Sequence, residues 1–151
     1  MAIRIRIDKD KADLVNALVK DNTAPFKTYA DVLAFAAALG AKYKRRIPLE
    51  NIAKEPEPIS SEIFISRGYD LAIKLLAITE TKEPKILSPY EITAEEERTL
   101  IFEEYANGGL EKLQNELRGT VDYTERILLV LSAERFREES STEEFDLSRF
   151  L

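Results

Sequence analysis

One segment of this chain reads as a β-strand, and it comes first. Met-Ala-Ile-Arg-Ile-Arg-Ile, residues 1–7, alternates strictly, with Ile3, Ile5 and Ile7 on one face and Arg4 and Arg6 on the other. The spacing that follows is helical, so this reading gives the strand no partner. Unpaired ladder groups are costly away from water. The strand must therefore either pair with the same strand of a second copy, as a homodimer through residues 2–7, or cover an edge of its own chain's helices.

The helical pattern begins at once. Asp8 offers a capping oxygen, and Leu14, Val15, Leu18 and Val19 give a helix over about residues 9–20. Thr28 followed by Asp31 opens a second helix with the stripe Val32, Phe35, Ala36, Leu39 and Tyr43. Residues 47–59 carry Pro48, Pro56 and Pro58 and read as a loop or a lightly structured linker. Residues 60–68 fit a short helix or an extended segment. Residues 69–80 are apolar on more than one side, which predicts deep burial. Thr93 with Glu96 forms a capping-box pattern, and the helix it opens is expected to stop at Asn107-Gly108-Gly109. A short helix would follow through Leu110, Leu113 and Leu117. Asp122 caps a last helix whose run 127–131 is apolar all round and is expected at the centre of the core. From Glu138 the chain is an acidic tail containing Phe145, Leu147, Phe150 and Leu151.

Composition removes whole classes of chemistry. The chain has no Cys and no His. Thiol nucleophiles, disulfides, histidine triads and ordinary zinc sites are excluded. No run approaches the roughly 18 apolar residues of a membrane span, and residues 1–7 are no signal peptide. The expected setting is cytoplasmic. Gly108-Gly109 lacks the Lys-Ser/Thr of a phosphate loop. Glu95, Glu96, Glu97, Glu103 and Glu104 point in different directions around a helix, which suits a solvated face better than a hard-cation site. No metal or other cofactor is expected, and no catalytic residue is assigned.

The formal net charge is −6, but it is unevenly placed. Residues 1–47 hold ten Lys/Arg and five Asp/Glu, a balance of +5. Residues 48–151 hold twelve and twenty-three, a balance of −11. Such asymmetry is either an ordinary fluctuation or a hint that the basic end meets an anionic partner. The strand-helix-turn-helix order of residues 2–46 resembles the ribbon-helix-helix proteins. That resemblance implies a ribbon whose outward Arg4 and Arg6 read base edges of duplex DNA, with the start of the second helix near a phosphate. Lys42, Lys44, Arg45 and Arg46, with Tyr43 among them, could grip phosphates too; the alternative is a solvated helix end. The long connection between the helices and the acidic remainder depart from the ribbon-helix-helix pattern.

Three phrases carry a second resemblance. They are Phe-Lys-Thr-Tyr-Ala-Asp-Val-Leu-Ala-Phe-Ala-Ala-Ala-Leu-Gly at residues 26–40, Asp-Leu-Ala-Ile-Lys-Leu-Leu-Ala-Ile at 70–78 and Ile-Phe-Glu-Glu-Tyr-Ala-Asn-Gly-Gly-Leu at 101–110. Over roughly residues 9–118 the chain resembles the bacterial DNA phosphorothioation-associated protein 4 (dnd system-associated protein 4) family, with Tyr-Ala-Asn-Gly-Gly-Leu the most specific phrase. The resemblance implies a place beside the machinery that puts sulfur into the DNA backbone, or beside its linked restriction apparatus. Sulfur handling needs thiols or iron–sulfur clusters, which this chain cannot ligate in the usual way. A non-enzymatic accessory is expected, with other proteins of that system as partners; the alternative is a DNA-binding regulator. The expected fold is a mostly α-helical domain over residues 1–137 with a short N-terminal β-strand. Within it, residues 1–47 form a basic strand-helix-helix part and 60–137 an acidic helical part; residues 138–151 are the tail.

Overall fold

The opening strand finds its partner inside its own chain. In the computed structural model, which describes residues 3–20 and 24–143 with side chains through residue 136, β1 (Arg4–Ile5) pairs antiparallel with β2 (Ile59–Ser60). Arg4 lies opposite Ser60 and Ile5 opposite Ile59. Further bonds continue the pairing on both sides. Ser61 N donates to Ile3 O at 3.0 Å, Ala53 N to Ile7 O at 2.8 Å, and Lys9 N to Asn51 O at 2.8 Å. The proline-rich stretch expected to be a loop or a lightly structured linker thus supplies the missing ladder partner. The strand's opposite edge is met by a side chain, because Arg6 N donates to Glu103 Oε2 at 2.6 Å. The ground for a homodimer through residues 2–7, a strand without a partner, is therefore corrected. The alternation itself holds: Ile5 and Ile7 are buried, Arg4 and Arg6 exposed.

The remaining described elements are helices, so the chain is mostly α. They are α1 (Ala12–Lys20), preceded by a 3-10 turn at Lys9–Lys11, α2 (Tyr29–Lys42), α3 (Ser61–Ser66), α4 (Asp70–Thr81), a 3-10 turn at Pro84–Leu87, α5 (Ile92–Leu117) and α6 (Tyr123–Glu143). Local caps explain several starts. Asp8 Oδ1 accepts from Asp10 N at 3.0 Å, and its Oδ2 accepts from Glu50 N at 3.0 Å. Thr28 Oγ1 accepts from Asp31 N at 3.2 Å, and Asp122 Oδ1 from Glu125 N at 3.1 Å. The Thr93 capping box does not form; α5 starts earlier, after Glu91, without a side-chain cap.

The frame of the molecule is the crossing of α2 and α5, its most extensive helix contact. Here α5 runs straight through Asn107-Gly108-Gly109, where a stop was expected. The glycines serve a close approach instead. A Cβ on Gly109 would lie 1.7 Å from Ala36 O, and one on Gly40 would lie 2.0 Å from Tyr105 O. The two backbones touch with Ala36, Ala37, Ala106 and the glycines between them. Around this crossing pack Ile5, Ile7, Val15, Leu18, Leu33, Phe64, Phe102 and Leu113. Phe64 meets Phe102 edge-on at 5.5 Å between centroids. Residues of both the basic and the acidic parts enter this one cluster.

Two burial expectations are corrected. Helix α4 is buried on one side at Ile73 and Ala77, but Leu71 and Leu75 are 67% and 55% exposed. On α6 only Ile127 of the run 127–131 is buried, while Leu128 and Leu131 are 58% and 44% exposed. Apolar spacing marks which faces could be buried; among the described residues, each of these helices is packed on one side only. The ambiguous residues 60–68 resolve into the end of β2 and the short α3. The backbone of α6 runs through Glu143, so the start of the expected acidic tail is helical; Phe145, Leu147, Phe150 and Leu151 lie outside the described residues. No described helix is long and apolar enough to cross a membrane.

Candidate functional site

Helix α5 carries Glu103 and Glu104 side by side inside an apolar stretch, about 100° apart around the axis. They reach opposite neighbours. Glu103, 2% exposed, is gripped by Arg6, whose Nε and Nη2 donate at 3.0 and 2.9 Å in addition to the backbone N–H. Glu104 accepts from Arg46 Nε at 2.7 Å, and Arg46 Nη1 reaches Glu80 at 2.9 Å. Tyr105 OH also donates to Glu80, so Arg46, Glu80, Glu104 and Tyr105 form one network. One turn on, Asn107 Nδ2 donates to Ile47 O at 3.2 Å and holds the chain leaving α2; its Oδ1 is buried without a partner.

The six basic residues singled out from the sequence take different places in the fold. Arg6 and Arg46 land on adjacent glutamates of α5. Arg45 pairs with Glu111 at 3.5 Å and Lys42 with Glu134 at 3.4 Å. Arg4 donates to Pro58 O at 3.4 Å. Lys44 is exposed, with a left-handed φ of 53°. Tyr43 is taken up by its own chain, since Lys112 Nζ stands 4.5 Å over its ring. Four of the six cations are thus met by carboxylates of the same molecule. The basic and acidic parts thus meet one another at these pairs within one fold.

The reading of the glutamates as a solvated face holds for Glu96 and Glu97, which are exposed. It is corrected for Glu103 and Glu104, which are buried and paired. Arg98 is buried as well and donates to Ile86 O at 2.7 Å and Ser88 O at 3.0 Å, tying the loop before α5 to the helix. The signal for Glu103 and Glu104 lay in their place, two acids within Leu100-Ile101-Phe102 and Tyr105-Ala106. Among the described residues, no group of three or more acids could hold a metal ion.

A second cluster joins α2 to α3 and α4. Arg67 donates from Nε and Nη2 to the two Asp31 oxygens at 2.9 and 2.8 Å, and Tyr69 OH donates to Asp31 Oδ1. Burial raises the Asp31 pKa, but the bonds from Tyr69, Arg67 and Thr28 outweigh it and leave the carboxyl below its ordinary range. Glu80 is likewise lowered, first by the Tyr105 hydroxyl and then by Arg46. Groups depressed in the folded state contribute stability that is complete above the unfolded pKa. That contribution is expected to be constant at neutral pH and to drain away as pH falls below about 4. Urea midpoints between pH 7 and pH 2 check this, with Asp31→Asn flattening the acid limb; an unchanged limb in that variant would reject the assignment.

A cavity of about 890 Å³ opens beside the start of α2, lined in part by Arg4, Lys20, Tyr29, Lys54, Pro56 and Ile63. Tyr29 is fixed there by donating to Asn16 Oδ1 at 2.7 Å. Thr28 already uses its hydroxyl as the helix cap.

A family model described as DNA sulphur modification system-associated protein 4 matches residues 4–150. No curated protein and no solved structure matches the chain.

Proposed function

Because this chain belongs to the DNA sulphur modification system-associated protein 4 family, we propose that it is a non-enzymatic accessory of a bacterial DNA phosphorothioation system. It works in the cytoplasm as an adaptor that docks other proteins of that system. The observation that carries this reading is a contrast. Arg6, Lys42, Arg45 and Arg46 are engaged by the chain's own carboxylates, whereas the outward face of α4 offers Leu71, Ala72, Leu75 and Thr79 without a charge. Phosphate-driven binding needs cations that can replace counterions. An exposed apolar stripe with helical spacing suits contact with a partner helix or groove. The lack of Cys and His supports the non-enzymatic part.

The test is a pull-down from the native host, read by mass spectrometry, comparing the natural chain with Leu71→Asp/Leu75→Asp. Proteins of the sulphur modification system should accompany the natural chain and be lost from the variant, with the thermal unfolding of both alike. Equal recovery by both would reject the α4 surface. A gel shift on duplex DNA should be absent at about 0.15 M salt. A salt-sensitive shift abolished by Arg4→Ala would replace the adaptor with a DNA-binding regulator.

A further inference from the structure

Three cations line the cavity of about 890 Å³ beside the start of α2, and among the described residues none forms a salt bridge. Arg4 spends one N–H on Pro58 O at 3.4 Å, which leaves its Nε and Nη2 open. Lys20 stands 5.9 Å over the Tyr29 ring, with Glu55 near enough to act weakly on its charge. Lys54 is exposed and has no polar partner among the described residues. Arg6, Arg45, Arg46 and Arg67, by contrast, are each met by an acid.

The same wall carries the first turn of α2. Thr28 Oγ1 caps Asp31 N, so the N–H groups of Tyr29 and Ala30 are left without an acceptor among the described residues. The start of this 14-residue helix adds partial positive charge there. Apolar surface comes from the Tyr29 ring, Pro56, Pro58 and Ile63. The volume lies within the range of sites that enclose a small molecule. Two acids limit what enters. Glu55 and Glu57 also line the cavity and are exposed. One anionic group beside the cations and the helix start is favoured, whereas a long polyanion laid over the mouth would set further phosphates against these acids.

We propose that this cavity binds a small molecule carrying one anionic group, phosphate or carboxylate, on an apolar body. The anion sits at the start of α2 among Arg4, Lys20 and Lys54, and the body lies against Tyr29, Pro56 and Ile63. The site shares no residue with the Leu71–Leu75 face of α4 and does not depend on the adaptor reading.

Amide shifts of the isotope-labelled full chain test it. The probes are inorganic phosphate, adenosine 5′-monophosphate and benzoate, each up to roughly 10 mM, and a short DNA duplex. The monophosphate, benzoate or both should move the Tyr29 and Ala30 signals, with a dissociation constant of about 1 mM or below. Which of the two binds tells a phosphate head from a carboxylate head. Inorganic phosphate, lacking the body, should bind more weakly. Arg4→Ala/Lys54→Ala should weaken binding about tenfold while unfolding thermally like the natural chain. Lys54→Glu alone should weaken it too, and Lys9→Ala, an exposed cation outside the cavity, should leave it unchanged. Four results would each overturn the proposal: no response to any small anion, a response untouched by the cavity substitutions, inorganic phosphate as tight as the larger probes, or a duplex that moves the same two amides at lower concentration than the monophosphate.

Discussion

Gly109→Ala is expected to cost about 3 kcal/mol or more, at the upper end of overpacking penalties. For a chain of 151 residues this lowers the melting temperature by about 6–12 °C. The reason is geometric. The added Cβ would stand 1.7 Å from the carbonyl oxygen of Ala36. What it meets is backbone, so no rotamer change can relieve it, and α2 must move away from α5. Gly40→Ala should behave alike, its Cβ falling 2.0 Å from Tyr105 O. Gly119 supplies the contrast. Its φ is +75°, yet nothing lies within 4 Å of an added Cβ. Gly119→Ala should therefore cost only the left-handed strain of about 1–2 kcal/mol. Thermal unfolding followed by circular dichroism separates the two kinds of glycine; equal losses would contradict the backbone contact.

The second large effect is expected at Arg6. Truncating one member of a buried ion pair costs about 3–5 kcal/mol, because the other charge is left without compensation. Arg6 is partly exposed, and Glu103 would keep the Arg6 N–H, so about 2 kcal/mol is expected for Arg6→Ala after allowing for solvent screening. Arg4→Ala should fall within about 0.5 kcal/mol of the natural chain. Arg6→Lys should recover part of the loss, since an ammonium cannot repeat the guanidinium's paired N–H bonds. Urea denaturation at pH 7 decides it. Equal costs at Arg4 and Arg6 would mean that the strand's two outward arginines do the same job after all.

That contrast shows what local pattern reports and what it omits. The alternation of residues 1–7 was readable because a strand's period of two needs no knowledge of its partner. The caps at Asp8, Thr28 and Asp122 were readable because their bonds close within three residues. The partner strand was not, since Ile59–Ser60 is a two-residue ladder among prolines. The passage of α5 through Gly108-Gly109 was hidden for a related reason. The same residue that ends a helix by adopting a positive φ also admits another helix's backbone, and only the neighbour decides which. Periodicity placed apolar faces on α4 and α6 without revealing that, among the described residues, each is packed on one side and open on the other. Arg6, Arg45 and Arg46 stood out as concentrated charge, but their meaning rested on acids far along the chain, 97 positions away for Glu103 and 58 for Glu104.

The crossing of α2 and α5 has one more implication. Where helices meet through long side chains, rotamers can be traded and the helices can slide past one another. Here peptide groups rest on peptide groups, and there is little to trade. The pair should behave as a rigid keel, and any change of shape provoked by a partner must be taken up by the elements hung upon it.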